Sequence, residues 1–598
     1  MTRMWRTISR TTLAGVSMAA AVFGAQACHA QEKTTPEQGS PASSSENKLT
    51  FPVPAESQPE GWAASRPADQ RAAETEPQSG AECWQGLQWE RYTLANGTPV
   101  LAVHVDGAAR QALFDFQPIG LIDDKPAQAQ YAHLLEHMLI RSTERGRLNT
   151  WGLEINGETT AQTMRLEIFA DESRWDEALE KQTMWLREGQ LDWKNLDGEK
   201  NAIAMEEQTT AASGFTNKFA LAAWNQIVRQ GLKEAHVHGD AQGGAIEPVL
   251  DMVHARRAVG PQMMIGAIGP MDLKDVRETL GKTFGALHAV QATRPAGMAK
   301  NSEILKDFRA QWDMPTKHMM RWWKVGEVSA KRIRNLSPAV QKKNADASTQ
   351  ADAATASRPD EEREENVRKN AEPSVETRLR AAALCAGRAI RMKLQTSSAV
   401  NDGSIRNVLV FGGLETSDGE LLIMVDCCIR DDANEAEVWK DIDVAAQFVA
   451  GDGNNDANRA ATANATQPGN DSKSLGDQGR EKEWVEQGDN DSSSHIPHAE
   501  VSQEKGERMM RMCAGMYAIE MGSVPDFEQA KAHLPNAKLR DFFEGNWLLG
   551  RCYIEFEWGV PFEQALEAIQ HLDGGMITHV QDSLRSKGGK LVLRPIAK

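Results

Sequence analysis

One short stretch of the chain has residue types and a spacing that suit metal chemistry. His133, Glu136 and His137 form the pattern His-x-x-Glu-His within an otherwise apolar stretch at 131–139. On a helix of 3.6 residues per turn these three positions project to one side, so the two imidazoles can chelate a single Zn²⁺. The carboxylate beside them can take a proton from a water molecule whose pKa the metal lowers to about 7. The competing interpretation is a pair of surface histidines on a helix.

A catalytic zinc ion needs a third protein ligand and keeps its fourth position for water. The helix-forming stretch 199–207 offers Glu199 and Glu206, which are seven residues and therefore two turns apart on one face. We expect Glu206 to reach the metal and Glu199 to support a ligand histidine from behind. Glu207 points about 100° away from Glu206 and is the weaker candidate. The alternative interpretation is a solvated acidic face.

Hydrophobic periodicity predicts the elements that must position these residues. In the first part of the chain, strand-like runs lie at 90–94, 100–103, 112–116, 164–170 and 263–269, and helical patterns at 127–143, 174–188, 195–213 and 271–285. Asn96-Gly97 favours a type I′ turn between the first two strands. A second unit begins near 310, with strands at 318–325, 406–411, 420–429 and 590–594 and helices at 376–394, 434–449, 506–521, 525–533, 538–550 and 563–585. The order resembles the first unit, which suggests an internal duplication of about two hundred residues.

The predicted fold class is α+β, with two homologous domains that each have a mostly antiparallel sheet and helices on one face. Polar, low-complexity composition marks segments that lack the apolar surface to offset ordering entropy. The predicted division is a signal peptide at 1–30, a disordered linker at 31–83, a histidine-bearing domain at 84–300 and a second domain at 301–598, with disordered insertions at about 341–373 and 451–507.

The N-terminus has the features of a secretory signal. Arg3, Arg6 and Arg10 precede an apolar run at 13–25, and small residues follow it. We therefore expect an exported, periplasmic protein, with lipidation at Cys28 as an alternative. No apolar run of transmembrane length follows the signal, so no membrane span is expected.

Composition excludes several function classes. The chain has 598 residues and a formal net charge of −17, without a long basic run, which argues against binding to nucleic acid or anionic lipid. The seven cysteines form no C-x-x-C pair, so a thiolate zinc site is not expected, and their spacing does not define a disulfide pairing. The phosphate-loop and nucleophile-elbow patterns are also absent from the sequence.

His133-Leu134-Leu135-Glu136-His137, followed by Glu199 and Glu206, resembles the inverted zinc motif of the pitrilysin, insulysin and mitochondrial processing peptidase family, the inverzincins. The resemblance covers 88–598 apart from the insertions. It implies that His133, His137 and Glu206 bind zinc, that Glu136 is the general base and that Glu199 supports a ligand from behind. It further implies a zinc metalloendopeptidase that cleaves unfolded peptides in a cavity between its domains.

The chain also departs from that family. Thr160-Ala161-Gln162-Thr163 stands where the family has Asn-Ala-x-Thr, so Thr160 takes the place of an Asn that holds the substrate backbone. The family's Arg and Tyr that stabilise the tetrahedral intermediate are not found, because no tyrosine occurs near 387–405. We expect the zinc-bearing subunit of a homo- or hetero-oligomer in which a related chain carries the Arg/Tyr motif. The alternative is a non-catalytic binding or scaffold subunit of a periplasmic complex.

Overall fold

The computed structural model describes residues 87–106, 108, 110–124, 130–143, 153–160, 162–188, 196–213, 217–237, 258–290, 304–328, 373–416, 419–452, 498–522 and 537–596. The predicted signal peptide, the linker, the helix at 525–533 and most of both insertions lie outside the described residues.

Short runs of strands and runs of helices follow one another along the described chain. The strands are β1 (Gln88–Thr93), β2 (Pro99–His104), β3 (Gln111–Gln117), β4 (Leu153–Thr159), β5 (Met164–Ala170), β6 (Glu234–Ala235), β7 (Met264–Gly269), β8 (Asp307–Trp312), β9 (Lys317–Glu327), β10 (Ile405–Glu415), β11 (Glu420–Ile429) and β12 (Gly589–Pro595). The helices are α1 (Tyr131–Thr143), α2 (Trp175–Glu188), α3 (Leu196–Ser213), α4 (Asn217–Trp224), α5 (Leu273–Lys282), α6 (Val375–Leu394), α7 (Ser398–Asn401), α8 (Glu435–Ala450), α9 (His498–Gly522), α10 (Ala537–Trp558), α11 (Phe562–Gln570) and α12 (Gly574–Arg585).

The strands form two six-stranded mixed sheets, in the orders β1-β2-β7-β3-β5-β4 and β10-β11-β9-β12-β8-β6. In the first sheet only the β2–β7 pair is parallel, and in the second the parallel pairs are β12–β8 and β8–β6. Together with the packed helices these sheets confirm the α+β class. The boundary between domains at 300/301 remains a prediction.

Five strands repeat between the two sheets. The equivalent strands, first sheet to second, are β2 and β8, β3 and β9, β4 and β10, β5 and β11, and β7 and β12. Their spatial order and relative directions are the same in the two sheets. The outermost strands differ, because β1 is antiparallel to β2 whereas β6 is parallel to β8. By this correspondence α1, between β3 and β4, is equivalent to α6, between β9 and β10. The repeat supports an internal duplication.

Helices cover both faces of the first sheet. On one face the side chains of α1 and α2, such as Leu135, Met138 and Leu179, join a common apolar core. On the other face α10, from the C-terminal part of the chain, buries Leu548, Cys552 and Tyr553 against the strands. None of the helices in the described part of the chain has the length and apolar character needed for a membrane span.

Several sequence predictions differ from the structure in detail. The loop after β1 is not a type I′ turn: it spans 94–98, and Gly97, rather than Asn96, adopts a positive φ, of 88°. The helix predicted at 563–585 is two helices, because the Asp573 side chain accepts a hydrogen bond from the Met576 amide at 2.8 Å and starts α12 anew. Residues 498–507, assigned to a disordered insertion, belong to α9. The five described cysteines are buried free thiols.

Candidate metal centre

The histidine-bearing helix begins with a sharp change of chain direction. Gln130 has a φ of 65°, and its carbonyl oxygen accepts the first helical hydrogen bond, from the Leu134 amide at 2.8 Å. The buried Asp124 carboxylate accepts a hydrogen bond from the Ala132 amide at 3.0 Å and so satisfies one of the free donors at the helix start. These contacts fix the direction in which α1 leaves the loop, and therefore where its polar face points.

Helix α3 brings the acidic residues to that face. Glu199 is buried, whereas the Glu206 side chain is 49% exposed and lies beside both histidines. Glu207 is buried elsewhere on α3 and is not part of the cluster of ligand atoms. The structure therefore places Glu206 rather than Glu207 next to His133 and His137.

The three candidate ligands have a separation that suits one metal ion. Glu206 lies 3.4 Å from His133 Nε2 through Oε2 and 3.6 Å from His137 Nε2 through Oε1. The ligand atoms of the three side chains all lie within 4.8 Å of one another. Two ligands at about 2.1 Å from a tetrahedral zinc ion are roughly 3.4 Å apart. Two imidazoles and one carboxylate are also a donor set found at catalytic zinc, so the residues fit this metal.

A hydrogen-bond partner at the Nδ1 atom orients each histidine ring. His137 Nδ1 lies 3.1 Å from Glu199 Oε2, and His133 Nδ1 lies 3.2 Å from Gln130 Oε1. The Gln130 amide is itself fixed, because its Nε2 donates to the Val237 carbonyl at 2.9 Å. With Nδ1 engaged in this way, Nε2 is the nitrogen that each ring turns toward Glu206.

The charges at the cluster favour a bound cation. Burial lowers the pKa of His137, but the hydrogen bonds with Glu199 and Glu206 outweigh it and raise that pKa to about 9. Burial raises the pKa of Glu206, but the hydrogen bonds with His133 and His137 outweigh it and leave that pKa well below its usual range. Without a metal ion, His137 is therefore protonated at neutral pH beside Glu199 and Glu206, and a divalent cation would displace that proton.

Glu136 lies on the same helix and is buried, with 5% of its surface exposed. Its Oε2 atom accepts a hydrogen bond of 2.6 Å from the Thr159 hydroxyl, at the end of strand β4. In the part of the chain that the structure describes, β4 is an edge strand of the first sheet, so the carboxylate lies where the helix meets an edge of that sheet. Thr159 and Gln130 were not among the sequence candidates, since neither has a characteristic spacing to the motif.

Thr160 lies next in the chain, in the turn between β4 and β5. Its hydroxyl accepts hydrogen bonds from the Gln162 and Thr163 amides at 3.2 and 2.9 Å and donates to the Thr163 carbonyl at 3.0 Å. The same turn contacts the second half of the chain, through Gln162 to the Glu415 carbonyl and through Thr163 to the Glu557 carboxylate. Thr160 thus shapes the turn, and its predicted contact with substrate stays a prediction.

Two tyrosines of the C-terminal part lie near arginines. The Tyr517 ring lies 4.4 Å from the Arg388 guanidinium, among residues packed against the core of the second sheet. The Tyr553 ring lies 5.8 Å from the Arg165 guanidinium and is 1% exposed. Burial to this extent indicates that Tyr553 packs α10 against the first sheet.

Comparison with known proteins gives matches among solved structures. No protein-family model matches the sequence, and no curated protein matches it. A protease from Helicobacter pylori superposes with a TM-score of 0.47 at 12% identity, over 85% of this chain and 100% of that one. A protein described as an M16-like peptidase from Alicyclobacillus acidocaldarius gives a TM-score of 0.46 at 10% identity, over 86% and 99% of the two chains. Likeness at this level does not establish the activity of this chain.

Proposed function

We propose that the chain is a zinc metalloendopeptidase. The observation that carries the proposal is the set of ligand atoms from His133, His137 and Glu206, all within 4.8 Å of one another. The Glu136 carboxylate lies on the same helix as the two histidines. Surface histidines do not normally have both rings oriented from behind by buried groups, as Glu199 and Gln130 orient these. Buried support of this kind is typical of metal ligands.

His133, His137 and Glu206 would hold the zinc ion. When bound, zinc lowers the pKa of a water molecule to about 7 and polarises the scissile carbonyl. Glu136 accepts a proton from the attacking water as the new carbon–oxygen bond forms. It then donates that proton to the amide nitrogen as the carbon–nitrogen bond breaks, so the amine leaves neutral. The Glu136 carboxylate suits this role, because its charge acts on the candidate ligand His137 and it is shielded from bulk water.

The open edge of the first sheet supports a peptide substrate. Among the described residues, strand β4 pairs with β5 on one side only, so its other side has main-chain groups that an extended peptide can pair with. Such a peptide would run past Gly157 and Thr159, where the strand meets Glu136. An unfolded segment can take up the extended conformation that this pairing needs, so we propose unfolded peptides as the substrate class.

We further propose that the chain is exported to the periplasm and works beside a related chain that supplies the Arg/Tyr motif. The motif's absence near 387–405 is the observation behind the paired assembly. It also supports the second candidate function, a non-catalytic binding or scaffold subunit.

The test is cleavage of a mixed pool of unstructured peptides by the purified, zinc-loaded chain. We expect Glu136→Gln to keep zinc and to lower cleavage by about 10²–10⁴-fold, the usual contribution of a general base. Glu180→Gln, an exposed acid on α2, is the matched control and should cleave as the wild type does. Full activity of Glu136→Gln would refute the mechanism. If the isolated wild type cleaves nothing, addition of the related chain separates the paired peptidase from the scaffold.

A further inference from the structure

Strand β4 touches the Glu136 side chain at two points. The Thr159 hydroxyl donates to Oε2 at 2.6 Å, and Gly157, two residues earlier on the same face of the strand, lies directly against the rest of the carboxylate. A Cβ atom at Gly157 would lie 2.8 Å from Glu136 Cγ and 2.9 Å from Oε1, closer than real Cβ contacts. Gly157 therefore allows the strand to lie close to the Glu136 side chain, and Thr159 donates the hydrogen bond to its carboxylate.

The hydrogen bond has the length of a charge-assisted one. An O–H group bound to a carboxylate lies at about 2.5–2.7 Å, and Thr159 is at 2.6 Å. Thr159 is 4% exposed and Glu136 5%, so bulk water does not compete with this bond. The terminal torsion of a glutamate is otherwise broad, and a carboxylate without such a donor can rotate among many orientations.

We propose that Thr159 is a positioning residue for the general base. Its hydroxyl fixes the orientation of the Glu136 carboxylate, so that the remaining oxygen lone pairs point consistently toward the reacting water. The inference rests on the proposed function, since it gives Thr159 a role only in a reaction that uses Glu136. Misplacement of a catalytic group by about 1 Å can cost about 10²-fold in rate, which sets the size of the expected effect.

The kinetic test uses three variants of the full chain. Thr159→Val keeps the shape of the side chain and removes the donor, whereas Thr159→Ser keeps the donor. Thr183→Val is the matched control, because Thr183 is fully buried and, among the described residues, its hydroxyl bonds to main-chain oxygens of its own helix, at 2.9 and 3.1 Å. We expect Thr159→Val to lower kcat by about 10–100-fold, with KM and zinc content close to wild type. Thr159→Ser should restore kcat to within about threefold, and Thr183→Val should leave kcat unchanged.

A second measurement does not depend on activity. Thermal unfolding of the metal-free chain is compared for Thr159→Val, Glu136→Leu and the double variant. If the hydroxyl binds Glu136, Thr159→Val should lower the midpoint by about 2–4 °C when Glu136 is present and by less when leucine replaces it.

The outcomes separate the two proposals. Wild-type kcat in Thr159→Val, while Glu136→Gln is inactive, would overturn the positioning role and leave the peptidase standing. Equal losses in the Ser and Val variants would also overturn it. If neither wild type nor Glu136→Gln cleaves any peptide, the proposed function fails for the isolated chain. The thermal comparison then tests whether the Thr159 hydroxyl binds the Glu136 carboxylate. If Thr159→Val lowers the midpoint equally with and without Glu136, the positioning role is overturned as well.

Discussion

The assignment of Glu206 as the third ligand predicts a graded loss of zinc affinity along one helix. Structural zinc sites with four ligands contribute about 10–16 kcal/mol, or roughly 3 kcal/mol per ligand, which corresponds to about 10²–10³-fold in affinity. The Glu206 side chain is 49% exposed, so water can occupy its place, and we expect the lower end, about 10²-fold, for Glu206→Gln. Glu199 acts on zinc only through His137, and Glu199→Gln should cost about 10-fold or somewhat more.

Glu207→Gln is the matched control for this series. It makes the same chemical change one residue further along α3, at a buried side chain outside the cluster of ligand atoms, and should leave zinc affinity within about threefold of wild type. The assay is competition for zinc between the metal-stripped chain and a chromophoric chelator. Thermal unfolding without zinc checks that each variant is folded. Equal zinc affinity in the Glu206 and Glu207 variants would refute the assignment, and a larger loss in the Glu207 variant would reverse it.

Two further predictions concern the packing of the two sheets. His318 and Asp426 form a fully buried pair at 2.8 Å; burial lowers the pKa of His318, but the charge and hydrogen bond of Asp426 outweigh it and raise that pKa to about 9. Because the folded pKa of His318 lies above the unfolded value, the pair should stabilise the fold fully below about pH 6.5, by at most about 3 kcal/mol, and this stabilisation should be lost as pH rises through 9. The unfolding midpoint of the wild type should therefore fall over that range, and the midpoint of His318→Gln should not show this loss. A Cβ atom at Gly266 would lie 2.7 Å from Cys552 Sγ, so Gly266→Ala should destabilise the chain by about 1–3 kcal/mol. Unfolding midpoints should show that Cys552→Ala costs less in the Gly266→Ala background than in the wild type; equal costs would contradict the docking of α10 on the first sheet.

The sequence predicted the parts of the site that depend on helical periodicity. The i and i+4 spacing of His133 and His137 puts both rings on one side of α1 whatever surrounds the helix, and the same reasoning puts Glu199 and Glu206 together on α3. The structure brings these two faces together, with His137 between the two acids. Local pattern was sufficient because each pair lies within a single regular element.

The parts that the sequence did not predict depend on contacts between distant segments. The apolar–polar alternation of strand β4 is limited to Leu153–Asn156, because Gly157 and Glu158 follow, and this is too short to mark a strand by itself; all seven of its residues pair with β5. Thr159 was therefore not recognised as a neighbour of Glu136, 23 residues away in the chain. Gln130 was missed for a similar reason, because its role depends on a bond to the distant Val237 carbonyl.

Among the described residues the cluster of candidate ligands lies in one of the two repeated halves, although the two halves share a topology. Helix α6 occupies in the second sheet the place that α1 has in the first, but it contains no histidine, and small residues line its contact with β10. At Gly387 an added Cβ atom would lie 2.7 Å from Gly412 Cα, so here the helix and the strand approach too closely to leave room for a polar site. At the equivalent junction in the first half, the corresponding space holds the Glu136 carboxylate, bound by Thr159. The same frame thus supports close packing in one half and a buried carboxylate in the other, and the difference depends on a few side chains between the helix and the edge strand.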